Sequence, residues 1–350
     1  MPLQPEEARG FNYDGSWGTS GLDLWQHHQH GTMAIEIARG KTYFPGWNAA
    51  RWWLSHEAYQ RNPRRFMANF GAGLQLFADH GIAVMPVLFN RWRDPVCDFG
   101  GVPLDHIIPG LSTYCRTGDY DGIDQPAWTQ GTANSLDHAS VNIFRAYLDD
   151  VVGTHRQDSR IFAWDLCNEP LMGPYVADPD SSIRAGELRW LTWCRDVCRA
   201  AGAMQPLSIG NYGDMAAITL TEPLSDFISF HPYFIPNWMD GQTSTPERFE
   251  NLLDAVVALG QRSGKPVLAS ETIWGADDDA EHVEFLRYAL GHLVARNIGF
   301  TVHALHHSLV ADLHSAAFGP VGRPERLEFI NADGSLRVGH EAFNDFAADR

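Results

Sequence analysis

Two short stretches carry residue types that can do chemistry together. Ile161-Phe-Ala-Trp-Asp-Leu-Cys-Asn168-Glu169-Pro170 opens as an apolar run and closes on an amide, a carboxylate and a proline. The run reads as a buried strand. Pro170 cannot donate a ladder hydrogen bond and pushes Glu169 away from helical geometry, so pairing should stop with Asn168 and Glu169 at the strand's carboxyl end. Lys265-Pro-Val-Leu-Ala-Ser270-Glu271-Thr-Ile-Trp274-Gly275 is another short buried strand ending in a carboxylate, with an aromatic just beyond. The interval between Glu169 and Glu271 has room for roughly three βα units of about 30 residues each. In parallel α/β sheets the carboxyl ends of the strands share one face, and chemistry collects there. Two carboxylates on that face are what glycosidic bond cleavage requires: one protonates the leaving oxygen, the other attacks or stabilises the anomeric carbon.

The elements that must position these acids alternate along the chain. Strands are predicted at Phe11–Tyr13, Trp47–Ser55, Gly81–Asn90, Pro206–Gly210, Asp226–Phe234 and Gly299–Leu305, besides the two acid-bearing ones. Helices are predicted between them. Asn62-Pro63 opens one with the stripe Phe66, Phe70, Leu74 and Phe77. Val141, Phe144, Leu148 and Val151 mark the next, with Gly153 at its end, and a long one covers 185–201. Thr245-Pro246 starts a helix that Gly260 should stop, and 280–297 forms another. The segment 27–30, with His27, His28 and His30, reads as a solvated loop rather than a metal site. From Arg91 to about Asn134 the chain is rich in Gly, Pro and Asp without periodicity, a long loop after a strand that should cover the catalytic face. Asn331-Ala-Asp333-Gly334 signals a hairpin turn, and a last amphipathic piece lies near 341–346. About eight strand–helix alternations with no linker or composition break give an α/β fold, a single (β/α)₈ TIM barrel over residues 1–350.

Composition narrows the partners. The formal charge of −17 argues against nucleic acid and anionic membrane, both of which need basic patches. No run of apolar residues reaches the roughly 18 needed for a membrane span. The beginning Met1-Pro-Leu-Gln-Pro-Glu-Glu lacks a basic n-region and an apolar h-region, so no signal peptide is visible and a cytoplasmic location is expected, or secretion if the sequence is trimmed. Cys167, Cys194 and Cys198 fall in regular elements and should be buried thiols, whereas Cys97 and Cys115 flank a loop and would pair only in a secreted protein. The 12 tryptophans include Trp17, Trp25, Trp92, Trp238 and Trp274 on predicted loops, where they are either sugar platforms or packing.

Taken together, Phe162-Ala-Trp-Asp-Leu-Cys-Asn168-Glu169-Pro170, Ser270-Glu271 with Trp274, His231-Pro-Tyr233 and Asn48-Ala-Ala-Arg51 make the chain resemble a clan A glycoside hydrolase, most similar to glycoside hydrolase family 5, the cellulase and β-mannanase family. The resemblance spans nearly the whole barrel. It implies that Glu169 is the general acid/base and Glu271 the nucleophile of a retaining mechanism. It also implies that Asn168 holds the sugar 2-hydroxyl, that Arg51 and Tyr233 bond Glu271, and that His231 lines the pocket. Asn90-Arg-Trp92 through Phe99-Gly-Gly101 is similar to the strand-three loop of β-mannanases. Family members usually carry a histidine just after strand three and a tryptophan at the end of strand eight. Here Asn90-Arg91-Trp92 and Leu305-His306-His307 stand in those places, and His306 instead of an indole implies a more polar sugar site.

Each residue also has a plainer reading. Arg51 in an apolar strand needs a carboxylate, as a structural ion pair or as a clamp on a catalytic acid. Glu169 could cap a neighbouring helix, Asn168 and Tyr233 could be satisfied core polar groups, and His231 could merely brace its strand. His303, His306 and His307 could suggest a metal, but spacing alone shows no convergent geometry, and neither metal nor cofactor is expected. The mechanism needs the acids' pKa values pushed apart: Arg51 and Tyr233 should keep Glu271 anionic, while apolar neighbours and the Glu271 charge should raise Glu169. A separation of about 5 Å would indicate retention, and roughly 7–9 Å inversion. The function expected is a retaining β-glycoside hydrolase, exo-acting on short substrates. The alternatives are an endo-β-mannanase or endo-glucanase, a carbohydrate-binding barrel without activity, and a metal-dependent sugar isomerase; oligomeric state is left open.

Overall fold

Eight strands form one closed parallel barrel, each paired with the next and the first with the last. They are β1 (Arg9–Tyr13), β2 (Ala49–Trp53), β3 (Ala83–Val87), β4 (Trp164–Asn168), β5 (Leu207–Tyr212), β6 (Ile228–His231), β7 (Val267–Ala269) and β8 (Gly299–Val302). The computed structural model describes residues 2–18, 21–91, 139–236, 245–309 and 326–347. The helices around the barrel are α1 (Gly21–Gln26), α2 (His30–Tyr43), α3 (His56–Arg61), α4 (Pro63–Asp79), α5 (Ala139–Thr154), α6 (Ser182–Ala200), α7 (Met215–Thr221), α8 (Pro246–Ser263) and α9 (Asp279–Ala295). This is the single TIM barrel expected. The segment 91–134 lies almost wholly outside the described residues, with Trp92, Cys97 and Cys115, as does Trp238.

Local chemistry accounts for the boundaries. The Asn62 side chain accepts from the Arg65 N–H at the start of α4, and Thr245 does the same for Arg248 at the start of α8. Proline follows each cap at the first helical position, where its missing N–H is no loss. The predicted stripes Phe66/Phe70/Leu74/Phe77 and Phe249/Leu252/Val256/Leu259 are buried against the sheet. Gly260 does not stop α8: the helix runs to Ser263, and Gly264, at φ +70°, forms the left-handed cap. A Cβ on Gly260 would lie 2.8 Å from the Lys265 carbonyl, so that glycine serves close packing.

Four helices were not legible, among them α1, which contains Trp25 where a loop was read, and α3, each only six residues long. Residues 30–43 form α2, whose inward face carries Met33, Ile37 and Gly40 but also Glu36, and a carboxylate in the stripe hides the periodicity. α7, with its Asp214 cap, is too short to show a period. In the tail, Asn331–Gly334 does turn, bridged by Ile330 and Leu336, and is followed by a 3₁₀ turn at His340–Phe343 and a helical turn at Asn344–Ala347. The large core lies between sheet and helices, while a small second cluster (Ala49, Met85, Phe162, Ala163, Phe227, Leu268) fills the barrel's interior. That interior plug leaves the carboxyl ends of the strands to carry polar side chains.

Candidate active site

Arg51 is the centre of the polar cluster. Its guanidinium is fully buried on β2, and all five N–H donors are used. Nε and Nη2 donate to Asp165 Oδ2 at 3.0 and 2.7 Å, and Nη2 also donates to Asn168 Oδ1 at 2.8 Å. Nη1 donates to Asn12 Oδ1 at 2.9 Å and to Glu271 Oε1 at 2.5 Å. Arg51 is therefore both things the sequence left open, a structural pair with Asp165 and a clamp on Glu271. Trp53 underlies it, its ring centroid 4.6 Å from the guanidinium carbon.

A break in strand register decides which residues of β4 face this cation. Period-two alternation would turn Asp165 and Asn168, three apart, to opposite faces. The pairing of β4 with β5 shifts between these two residues, and both then reach Arg51. The Asn168 amide also donates to Asn90 Oδ1 at 3.0 Å. Glu169 follows with φ +47°, in the left-handed region rather than the extended conformation expected before proline. Its N–H donates to the Gly210 carbonyl at 2.6 Å, which helps hold a conformation few non-glycine residues adopt.

Glu271, two residues past the end of β7 at Ala269, faces Glu169 across the mouth. His231 Nδ1 lies 2.7 Å from Glu169 Oε1 and 3.5 Å from Glu271 Oε2, so one imidazole bridges the two acids. Tyr233 Oη donates to Glu271 Oε2 at 2.7 Å and lies 3.2 Å from His303 Nδ1. Trp274 meets the Tyr233 ring edge-on at 5.3 Å. Burial raises the Glu271 carboxyl, but the charges of His231, Arg51 and His303 and the Tyr233 hydrogen bond outweigh it and hold the group at about 2. The Tyr233 phenol is pushed well above its usual 10, by burial first and then by Glu271, and so stays a donor.

Glu169, His231 and Glu271 bring one ligand atom each within 4.8 Å of one another, a donor set that could hold a metal ion. The positive charge such an ion would supply to Glu271 already comes from Arg51 at 2.5 Å, and His231 Nδ1 already bonds Glu169 directly. Glu169 and Glu271 retain 6% and 5% of their surface, and the His303 side chain beside them 24%, so the cluster meets solvent at the barrel mouth.

The structure thus brings together Glu169, Glu271, Arg51, Asn168, His231, Tyr233 and Trp274. His306 is the exception. It is buried, with Nε2 3.1 Å from Glu36 Oε2 on α2, and its partner among the described carboxylates is Glu36 rather than either candidate acid. β8 ends at Val302, earlier than read, and His303 is the residue of that strand end which reaches Glu271, at 4.0 Å. Trp25 is also packing, stacked on Trp52 at 5.0 Å. Sequence reasoning missed Asn12, Asn90, Asp165 and His303. Asn12 and Asp165 carried the same signal as Arg51, a polar side chain inside an apolar strand; Asn90 and His303 carried none beyond lying near a strand end.

Comparison with solved structures concerns the fold. The barrel superposes on a family 5 mannosidase from Rhizomucor miehei at a TM-score of 0.63 and 15% identity, covering 97% of this chain and 92% of that one. A broad-specificity endoglucanase of subfamily GH5-4 from Clostridium acetobutylicum gives 0.64 at 10% identity, covering 98% and 99%. An enzyme of subfamily GH5_18 from Streptomyces cattleya, in complex with GlcNAc, gives 0.62 at 14%, covering 99% and 80%. The chain shares its fold with family 5 glycoside hydrolases. At these identities the likeness is one of fold. No protein-family profile and no curated protein matches the sequence.

Proposed function

We propose that this protein is a retaining β-glycoside hydrolase in which Glu271 is the nucleophile and Glu169 the acid/base. The observation that carries the reading is the pair itself: two carboxylates at the ends of β4 and β7, with oxygens within 4.8 Å, one of them held anionic by Arg51 and Tyr233. That spacing suits direct attack on the sugar and leaves no room for an inverting water between the acids. In the first step a Glu271 oxygen bonds to the anomeric carbon as the glycosidic C–O bond breaks, and the Glu169 proton goes to the leaving oxygen. In the second, Glu169 takes a proton from water, the water oxygen bonds to the anomeric carbon, and Glu271 leaves as carboxylate.

The other groups have definite work in this scheme. Tyr233 and Arg51 hold Glu271 so that one oxygen faces the sugar. Asn168 gives one amide hydrogen to Asn90, and its second is free in valence for the sugar 2-hydroxyl. His231 bridges the acids and orients Glu169. The length of chain between β3 and α5 favours short substrates cleaved from one end over long polysaccharides. The structural neighbours include both mannosidase and endo-acting enzymes.

Two variants test the roles. Glu271→Ala should abolish turnover of all β-glycosides with the fold intact. Glu169→Ala should cripple substrates with poor leaving groups by roughly 10²–10⁴-fold, the contribution of general acid catalysis, while sparing activated aryl glycosides. Equal losses on both substrate classes would count against Glu169 as the acid, and inverted product in proton NMR would count against retention.

A further inference from the structure

One fully buried carboxylate beside the carboxyl ends of β3 and β4 takes no part in the mechanism above. Glu187, on α6, has no exposed surface. Its Oε1 lies 3.5 Å from Nε of Arg91, itself 2% exposed, and its Oε2 accepts from the Tyr175 hydroxyl at 2.8 Å. The Leu171 N–H also faces this carboxylate. Burial raises the Glu187 carboxyl overall, while Arg91, Leu171 and Tyr175 each lower it. Taking two charges out of water costs more than a contact 3.5 Å long returns, so the pair is a poor device for stability alone. Its place in the chain gives it other work.

The backbone around the candidate acid is strained. Within five residues Glu169, Leu171 and Gly173 have φ of +47°, +56° and +135°, and two of the three carry side chains. Such conformations persist only where the surroundings over-determine them. The Arg91–Glu187 pair reaches this turn from both ends. On the entry side the Arg91 N–H donates to the Asn168 carbonyl at 3.0 Å and the Asn168 N–H to the Phe89 carbonyl at 2.8 Å, so the residue before Glu169 is tied to the backbone of Arg91. On the exit side Glu187 holds the Tyr175 hydroxyl and faces Leu171, whose side chain is buried. A Cβ on Gly173 would lie 2.9 Å from the Tyr175 ring, so that ring packs directly on the turn. Between the two grips lie Glu169 and Pro170, and the proline has no N–H to anchor it. Glu169 therefore sits on a short span whose ends are joined through one ion pair.

We propose that Glu187 is a positioning residue for Glu169: paired with Arg91, it closes the strained Glu169–Gly173 turn and so aims the acid at the leaving oxygen. This rests on the hydrolase reading above. Glu187 itself touches no substrate, and its effect on turnover runs through Glu169.

The experiment compares Glu187→Gln, which keeps the shape and an acceptor but not the charge, with Tyr175→Phe, which removes only the hydroxyl. Hydrogen exchange read by mass spectrometry comes first. Peptides covering 167–175 should exchange faster in both variants, more so in Glu187→Gln, with the other barrel strands unchanged. Unchanged exchange in that segment overturns the proposal. The second measurement is kcat/KM on β-glycosides of graded leaving-group ability. Glu187→Gln should lose roughly 10-fold on poor leaving groups, part of the 10²–10⁴-fold that a general acid contributes, and less than about twofold on activated aryl glycosides. In a Glu169→Ala background the same substitution should bring no further loss on a phenyl β-glycoside, because its effect passes through the missing acid. A loss of equal size on every leaving group, or one that persists without Glu169, would overturn the proposal and leave Glu187 a residue of the general fold. If Glu187→Gln does not fold, Tyr175→Phe carries the same readings at smaller size. A wild-type protein that turns over no β-glycoside sinks the hydrolase reading, and the exchange result then decides by itself whether Glu187 holds the turn.

Discussion

Replacing Arg51 by methionine should expose how the cluster is held together. Methionine matches the apolar stem but leaves Asp165 and Glu271, both buried, without their shared cation. Breaking a buried ion pair from one side costs about 3–5 kcal/mol, and at about 2 °C per kcal/mol for a chain of this size the melting temperature should fall by roughly 5–10 °C. The Glu271 carboxyl supplies a second measure. Its value of about 2 lies below the ordinary 4.5, a difference worth about 3 kcal/mol at 1.36 kcal/mol per pH unit. Because the folded value is the lower one, the unfolded chain binds more protons between them. The stabilisation is full above about pH 4.5 and disappears as pH falls towards 2. In Arg51→Met the carboxyl should titrate higher, moving the acid limb of the kcat/KM profile upward, whereas Arg51→Lys, which keeps a charge without the fork, should move it less. Thermal melts from pH 3 to 8 and pH–rate profiles on an aryl glycoside give both readouts. A methionine variant that melts like wild type with an unmoved acid limb would refute this account of Arg51.

Three further outcomes follow from the packing. Gly210→Ala would put a Cβ 2.6 Å from Asp165 Oδ2 and 2.9 Å from Arg51 Nη2, so calorimetry should show a loss of about 1–3 kcal/mol and activity should drop with it. Cys167, Cys194 and Cys198 are buried and their thiols are raised by burial, Cys198 to about 12; iodoacetamide at pH 8 followed by peptide mapping should find these three unmodified until the protein unfolds. His306 is raised by its Glu36 partner despite burial, so its contribution is present below the unfolded value of 6.5 and lost as pH rises through the folded one. The gap in melting temperature between wild type and His306→Gln should therefore narrow with rising pH.

Much of the site was legible because its residues break local rules. An arginine inside Ala-Ala-Arg-Trp-Trp, or a carboxylate closing an apolar strand before proline, has no local reason to be there, and each proved part of the cluster. His306 misled because position near a strand end says nothing about direction: β8 stops at Val302, and the chain beyond turns His306 onto Glu36 while His303 faces Glu271. α2 was missed for the same pairing, since Glu36 is buried because residues distant in sequence, His306, Tyr13 and Ser16, meet its carboxylate.

The sequence alone determined the alternation of strand and helix, the caps that start α4 and α8, and the two acids at the ends of β4 and β7, because periodicity and capping act within a few residues of chain. Only the closed barrel decided which polar groups meet. The β4–β5 register shift turns Asp165 and Asn168 to one cation, and His231 spans two acids from strands it does not follow in sequence. Those meetings depend on how eight strands stagger around a ring, a long-range constraint that no short window of residues contains.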